Sequence, residues 1–393
     1  MSMNIAFYYH IPITTKEGRL YVPGYLGVFL HSLANEVRSL YLLMHESKPK
    51  SIDIEEADYE LINSNITWVT LGKKTPAWHR DLFHTKILRT AMCKIDHCDY
   101  LIVRSPSPLA PYFHRYAKQV RVVFMVVGDY GEEAEHAKPK SLREWAVWKY
   151  VAYNDRIFVK AMKHTDVVVN SPKLFRKYQH CSKSIFQIRT TTLSRKDFFE
   201  RADTCQQEVL QLLYTGRIDP LKGLFELIGV LPRLLSMNLD VVLNIVGWEP
   251  DIHKPVEQAL RQKALELGVS KQVVFHGRKT VGTELNAMYR MADIYLIPSY
   301  HEGFPRTIWE AMANSLPVIA SRVGAIPEYL TDRENAILIE PKKEQEIVDA
   351  ILLLLRTDKL RQQIISNGVA LANDNTLEVQ TKYLIDYLKQ AAE

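Results

Sequence analysis

The 393-residue sequence has no run of about eighteen apolar side chains, which excludes a membrane-crossing helix of ordinary length. Its four cysteines, Cys93, Cys98, Cys181 and Cys205, are too few and too irregularly spaced for a disulfide framework. No Cys-x-x-Cys pair or histidine-rich partner suggests zinc, so they read as plain thiols. Low-complexity tracts and short internal repeats are also missing, and with 47% apolar and 24% charged residues disorder is a poor reading. The N-terminus enters a strand pattern at Asn4 without a charged-then-apolar leader, so the expected location is the cytoplasm.

What is present begins with length, which exceeds the size at which one hydrophobic core keeps growing and predicts two domains. The net charge of +5 is unevenly spread. Residues 1–200 hold 29 Lys/Arg against 20 Asp/Glu, whereas 201–393 hold 21 against 25. Most of the excess falls in 137–196, with 14 basic and 3 acidic side chains, a stretch suited to anionic partners.

The C-terminal half alternates β-branched runs with helical patterns, as doubly wound parallel sheets do. Strands are predicted at 212–214, 241–246, 273–275, 294–297, 318–320 and 337–339. Helices are predicted between them at 224–236, 255–267, 283–291, 306–314, 325–330 and 344–357. The N-terminal half starts alike: a strand at 4–9, a loop through Pro23, Gly24 and Gly27, and a helix near 28–36. Further strands follow at 40–44, 100–103, 120–127 and 167–170, with a long helix at 141–164. The fold expected is α/β with two Rossmann-like domains, 1–200 and 201–375, and a last helical segment over 376–393.

The most informative stretch runs from Ser299 to Ser321. It leaves a buried strand, passes Glu302 and Gly303, and enters a helix with Pro305 near its first turn, where a missing amide proton costs nothing. Free amides at such a start, approached through a small glycine, suit a diphosphate. Glu302 and Glu310 stand eight positions apart, with Glu302 in the loop and Glu310 about two turns into the predicted helix. Carboxylates accept two hydrogen bonds from a diol, so one suits a sugar and the other a ribose. The plainer reading makes Glu310 a solvated helix residue and Glu302 a partner of the helix dipole. A second loop, Tyr214 to Leu224, carries Arg217 and Lys222 between Gly216 and Gly223. Two cations at the carboxyl end of a parallel sheet can neutralise a pyrophosphate, although ordinary surface charges read the same way.

The Gly-Arg…Lys-Gly loop, Ile245-Val-Gly247, Val274-Phe-His-Gly277, Pro298-Ser299 and the Glu302…Glu310…Pro317-Val-Ile-Ala-Ser321 segment together resemble the donor half of retaining family 4 glycosyltransferases. Five motifs in order over about 120 residues are far more specific than any one of them. The resemblance implies a GT-B architecture of two facing Rossmann-like domains, with acceptor in the N-terminal one, nucleotide sugar in the C-terminal one, and reaction in the cleft. It implies that Arg217 and Lys222 bind the donor diphosphate, that Glu302 lies against the transferred sugar and that Glu310 binds the ribose. Gly216, Gly303, Phe304, Pro305 and Thr307 would line the donor, and Arg278 and Lys279 would sit near the base; Gly24 and Gly27 join the ligand-binding candidates. Where such enzymes commonly carry an N-domain histidine, this sequence offers Gly128 and Asp129, so Asp129 is the catalytic candidate there, with His10 and His136 as further polar contacts. The usual Gly-Val-Asp step is replaced by Thr190-Thr-Thr-Leu-Ser194.

On this reading the enzyme moves a sugar from a UDP- or GDP-sugar to a saccharide or lipid-linked acceptor in surface polysaccharide or lipopolysaccharide assembly. No cofactor is expected, and the lack of an Asp-x-Asp motif predicts metal independence. A nucleotide-sugar epimerase, a phosphorylase or a non-catalytic nucleotide-sugar-binding protein would use the same fold. Trp145, Trp148, Tyr150 and Tyr153, interleaved with Lys149 and Arg156, suit a helix at the anionic inner face of the plasma membrane; a core-packed helix with a basic outer side fits equally. Nucleic acid is not an expected partner, because no recognition module is present.

Overall fold

The computed structural model describes residues 3–49, 51–128 and 141–391. The chain divides into two units, residues 1–190 with 380–393, and residues 191–379. The sequence reading divided it at 200/201 and 375/376.

The N-terminal unit contains β1 (Asn4–Tyr8), β2 (Thr14–Lys16), β3 (Arg19–Val22), β4 (Ser39–Glu46), β5 (Tyr59–Glu60), β6 (Ile66–Lys73), β7 (Tyr100–Ser105), β8 (Arg121–Val126), β9 (Asp166–Val169) and β10 (Ser184–Gln187). Seven of them form one parallel sheet in the order β10-β9-β8-β7-β1-β4-β6. The two-residue period of a strand sends Ile5 and Phe7 to one face, among Leu26, Leu30 and Leu33. Ala6 and Tyr8 go to the other, among Leu88, Phe113 and Met162. Leu384, Ile385 and Leu388 of the helix Leu377–Gln390 are buried in the first of these cores.

The sequence reading missed β6, β10 and a small antiparallel sheet, β2-β3-β5. It also placed Gly24 and Gly27 in a loop, whereas the helix starts at Gly24 and runs to Glu36. The Gly24 amide donates to Asp58 Oδ1 at 2.7 Å. Gly27 packs directly on the Tyr59 ring, where any Cβ would overlap the aromatic carbons. Both glycines thus serve helix entry and packing.

The C-terminal unit contains β11 (Val209–Thr215), β12 (Asp240–Val246), β13 (Val273–Gly277), β14 (Ile294–Ile297), β15 (Val318–Ser321) and β16 (Ile337–Ile339). They form one parallel sheet in the order β13-β12-β11-β14-β15-β16, which reverses direction between β11 and β14. Leu212, Tyr214 and Leu243 bury against one helical layer, and Leu213, Tyr295 and Ile297 against the other. Burial on both faces explains why these strands read as unbroken apolar runs. Among the described residues, no helix is long and apolar enough to cross a membrane.

Candidate active site at the carboxyl edge of the C-terminal sheet

In a parallel sheet every strand ends on the same edge, so the loops that follow β11 to β15 converge there. At the reversal between β11 and β14 two of those loops diverge to opposite faces and leave a crevice, the usual ligand position in open α/β sheets. The loop after β11 carries Gly216, Arg217 and Lys222, and the loop after β14 carries Glu302, Gly303, Phe304 and Pro305. The edge therefore brings together residues about eighty positions apart.

Glycines allow the loops to interlock. Gly223 has φ +69°, and a Cβ there would overlap the Pro298 carbonyl oxygen. Gly324, at φ +56° after β15, approaches the Glu302 carbonyl in the same way. Backbone bonds seal both crossings, Tyr300 N–H to Leu221 O at 2.8 Å and Ala325 N–H to Gly303 O at 2.9 Å. Tyr214 adds a third tie, its hydroxyl donating to the Arg217 carbonyl at 2.8 Å.

Held this way, Lys222 Nζ donates to Glu302 Oε1 at 2.6 Å, and Ser299 Oγ donates to the same oxygen at 2.8 Å. The two side chains are largely buried, at 18% and 12% exposure. Among the described residues no donor reaches Glu302 Oε2, so that oxygen is left to accept from a ligand hydroxyl. The ammonium of Lys222 keeps two further protons to donate. Arg217 is exposed on the same loop, and Arg278 lies over the Trp248 ring at 5.0 Å, with Lys279 beside it.

Glu310 is placed differently. The helix begins at Thr307 and ends at Ala313, so Glu310 lies in its first turn, not two turns in. It is not solvated: at 6% exposure its carboxylate accepts from Tyr289 at 2.8 Å on one oxygen and from Thr192 on the other. Burial, then the Glu310 charge, pushes the Tyr289 phenol far above its usual range, so it remains a donor. Tyr289 and Thr215 share a bond of 2.7 Å, and Tyr295 donates to Thr307 Oγ1 at 2.7 Å. Thr307 and Glu310 are therefore tied to the ends of β11 and β14 by buried hydroxyls.

The later start of the helix also moves the anion-binding amides. Ile308, Trp309 and Glu310 already bond back to Pro305 and Arg306. Among the described residues the Gly303, Phe304 and Thr307 amides make no backbone bond and remain as donors, and the Phe304 ring stacks on Trp309 at 4.4 Å. Asp129 and His136 lie outside the described residues. His10 lies in the N-terminal unit and is half-buried, with its ring Nδ1 shielded from water. Sequence reasoning placed Ser299 in a motif and Thr192 in the 190–194 step but gave neither a role, and it did not single out Trp248 or Tyr289; no spacing rule links Trp248, Tyr289 or Thr192 to the residues they touch.

Residues 196–370 match the family described as glycosyl transferases group 1. The D-inositol 3-phosphate glycosyltransferase of Corynebacterium glutamicum is 34% identical over 149 residues, 38% of this chain and 35% of that protein. The phosphatidyl-myo-inositol mannosyltransferase of Mycobacterium leprae is 34% identical over 159 residues, 40% of each chain. The chain thus spans well under two thirds of these curated relatives' length. Among solved structures, Anabaena Alr3699/HepE in complex with UDP superposes with TM-score 0.72 at 17% identity, over 99% of this chain and 100% of that one. WaaG, a glycosyltransferase involved in lipopolysaccharide biosynthesis, gives 0.66 at 16%, over 98% and 99%. At such identities the likeness is one of fold, the two Rossmann-like sheets of the GT-B type.

Proposed function

We propose that this chain, whose residues 196–370 match the glycosyl transferases group 1, transfers a sugar from a nucleoside-diphosphate donor to a saccharide or lipid-linked acceptor. The observation that carries the proposal is the Lys222–Glu302 pair at the strand-order reversal, with one carboxylate oxygen open and Arg217 exposed on the same loop as Lys222. Lys222, Arg217 and the Gly303 and Phe304 amides would stabilise the diphosphate as negative charge develops on the leaving group. Glu302 would accept from a sugar hydroxyl and orient the ring. Glu310, already bonded by Tyr289 and Thr192, has lone pairs left to accept from the ribose.

In this scheme the donor carbon–oxygen bond breaks, the acceptor oxygen bonds to the same carbon from the same face, and the acceptor proton passes to the leaving phosphate. The configuration at that carbon is retained, and no metal is required. UDP-glucose, bound by the fold neighbour HepE, exemplifies the donor class, and surface polysaccharide or lipopolysaccharide assembly is the role we propose.

A thermal-shift screen with UDP, GDP, ADP and their sugars tests the donor site, since a ligand of the folded state alone raises the melting temperature. One nucleoside diphosphate is expected to stabilise the wild type and not Lys222→Ala. If none stabilises it, the proposal fails. Activity lost with a chelator and restored by manganese would overturn metal independence alone.

A peripheral contact with anionic membrane is part of the same proposal. The helix Leu142–Met162 exposes Leu142, Trp145, Val147 and Tyr153. Lys149 Nζ lies 5.5 Å from the Trp145 ring and 5.2 Å from the Trp148 ring. Apolar rings beside a cation suit an anionic lipid surface. Flotation with anionic vesicles, reduced by Trp145→Ser, is the expected result; equal flotation with neutral vesicles would count against the contact.

A further inference from the structure

The N-terminal sheet also reverses its strand order, with β1 lying between β7 and β4. At the carboxyl edge there, His10 follows β1, His45 lies near the end of β4, and Arg104 near the end of β7. Lys74 follows β6, and the helix Ala77–Leu82 contributes Arg80. Burial lowers the basicity of His10, reinforced by Arg80, Lys74 and Arg104, and of His45, reinforced by Arg80 and Lys74; the five groups therefore form one neighbourhood.

Two of its cations, Arg80 and Arg104, are buried and unpaired among the described residues. Arg80 is 6% exposed and Arg104 8%. Among the described residues, Arg80 Nε and Nη1, Arg104 Nε, His10 Nδ1, His45 Nε2 and Thr75 Oγ1 are all buried without a hydrogen-bond partner. Arg104 lies over the Tyr9 ring, 4.6 Å from its centre, and makes no ion pair among the described residues. Asp53 is the acid within range of His10, and it accepts from Lys74 at 2.8 Å. Asp81, next to Arg80, accepts from Tyr112. Burying part of a guanidinium without a partner is costly, and Arg80 and Arg104 both act on His10 beside the same strand-order reversal, where an anion would offset that cost.

We propose that Arg80, Arg104, Lys74, His10 and His45 form an anion pocket that takes a phosphate or carboxylate group of the acceptor. The word acceptor rests on the transfer reading; the pocket itself does not. A guanidinium presents forked donors that match either group, so the two sources are separated by experiment.

The test is the melting temperature and calorimetric affinity of the full chain for inorganic phosphate, with acetate as the carboxylate arm, at ionic strength held constant with chloride. Phosphate can also reach the donor edge, so wild type is compared with Arg80→Met, Arg104→Met and Arg217→Gln. Phosphate or acetate should stabilise wild type and Arg217→Gln, and the better of the two names the source. Binding to Arg80→Met and Arg104→Met should be about tenfold weaker or more. Without any added anion, Arg80→Met should melt at or above the wild-type temperature, because an unanswered charge has been removed. A marked fall instead would assign Arg80 to the scaffold and overturn the pocket. An anion response equal in wild type and both methionine variants, or lost only in Arg217→Gln, would overturn it as well. As a second readout that needs no arginine variant, the His10 and His45 imidazole resonances should titrate at higher pH with phosphate present; unchanged titration counts against the pocket. Nucleoside-diphosphate binding is measured separately, so failure of the pocket leaves the donor site standing, and the reverse also holds.

Discussion

The carboxyl edges of the two sheets share a strand-order reversal and differ in how their buried charges are paired. In the C-terminal unit Lys222 is matched by Glu302, and Glu310 is matched by two hydroxyls, so the edge is organised before any ligand arrives. In the N-terminal unit Arg80 and Arg104 are buried without a matching carboxylate among the described residues. The difference separates two ways of preparing a site. Internal pairing lowers the cost of burial and sets geometry, whereas unpaired burial sacrifices stability for attraction to a ligand.

The comparison is sharpened most by Lys222→Ala, which removes the partner of Glu302 and, in the proposed reaction, the cation that meets the leaving group. Turnover with the cognate nucleotide sugar should fall by about 10²–10³, as when a single transition-state donor is lost. Initial rates at saturating donor check this, and a change of less than about tenfold would place the leaving-group charge elsewhere.

A pH series examines the other edge. His10 and His45 are held down at about 4, below the usual histidine range, chiefly by burial and then by Arg80. Their neutral forms are favoured by folding, so the folded chain binds fewer protons than the unfolded chain between about pH 4 and 6.5. The stability this gives is complete above about pH 6.5 and is lost as pH falls towards 4. Between pH 7 and pH 5 the loss should be about 2 kcal/mol per histidine. Urea unfolding at the two pH values measures it, and a His10→Gln/His45→Gln variant should lose correspondingly less.

Tyr289→Phe probes pairing at the C-terminal edge. It leaves one oxygen of the buried Glu310 without its donor, at a cost of about 1–3 kcal/mol in unfolding free energy. If Glu310 binds the ribose, the nucleotide affinity also weakens while turnover at saturation changes little. Equal loss in turnover and affinity would point to a general disturbance of the edge.

Thr192→Val should do the same on the other oxygen, and Thr192→Ser should restore most of it because the hydroxyl is kept. The smallest expected effect is that rescue, about 0.5–1 kcal/mol short of wild type owing to the lost methyl group. A serine variant no better than valine would assign the residue's contribution to shape.

How much of this could be read beforehand depended on distance along the chain. The strands of the C-terminal sheet stood out because burial on both faces makes each one a continuous apolar run. β6 escaped notice because its exposure alternates and Thr67, Thr70 and Lys73 dilute the pattern. Glu302, Lys222 and Arg217 were found because each lies within a few residues of a glycine-marked turn. The burial of Glu310 was not legible, because its partners Tyr289 and Thr192 are 21 and 118 positions away. Of the cluster of His10, His45, Lys74, Arg80 and Arg104 only His10 was singled out beforehand, because the members lie far apart in the sequence and no spacing rule joins them.

Local order along the chain determined the alternation of strand and helix, the glycine turns and the residue types available at each strand end, since these depend on near-neighbour sterics and on apolar periodicity. Which charges met a partner and which stayed alone was decided only when parallel strands brought distant loops to a common edge. A Coulomb interaction depends on separation in space and on the water excluded from between the groups, and neither is written in sequence spacing.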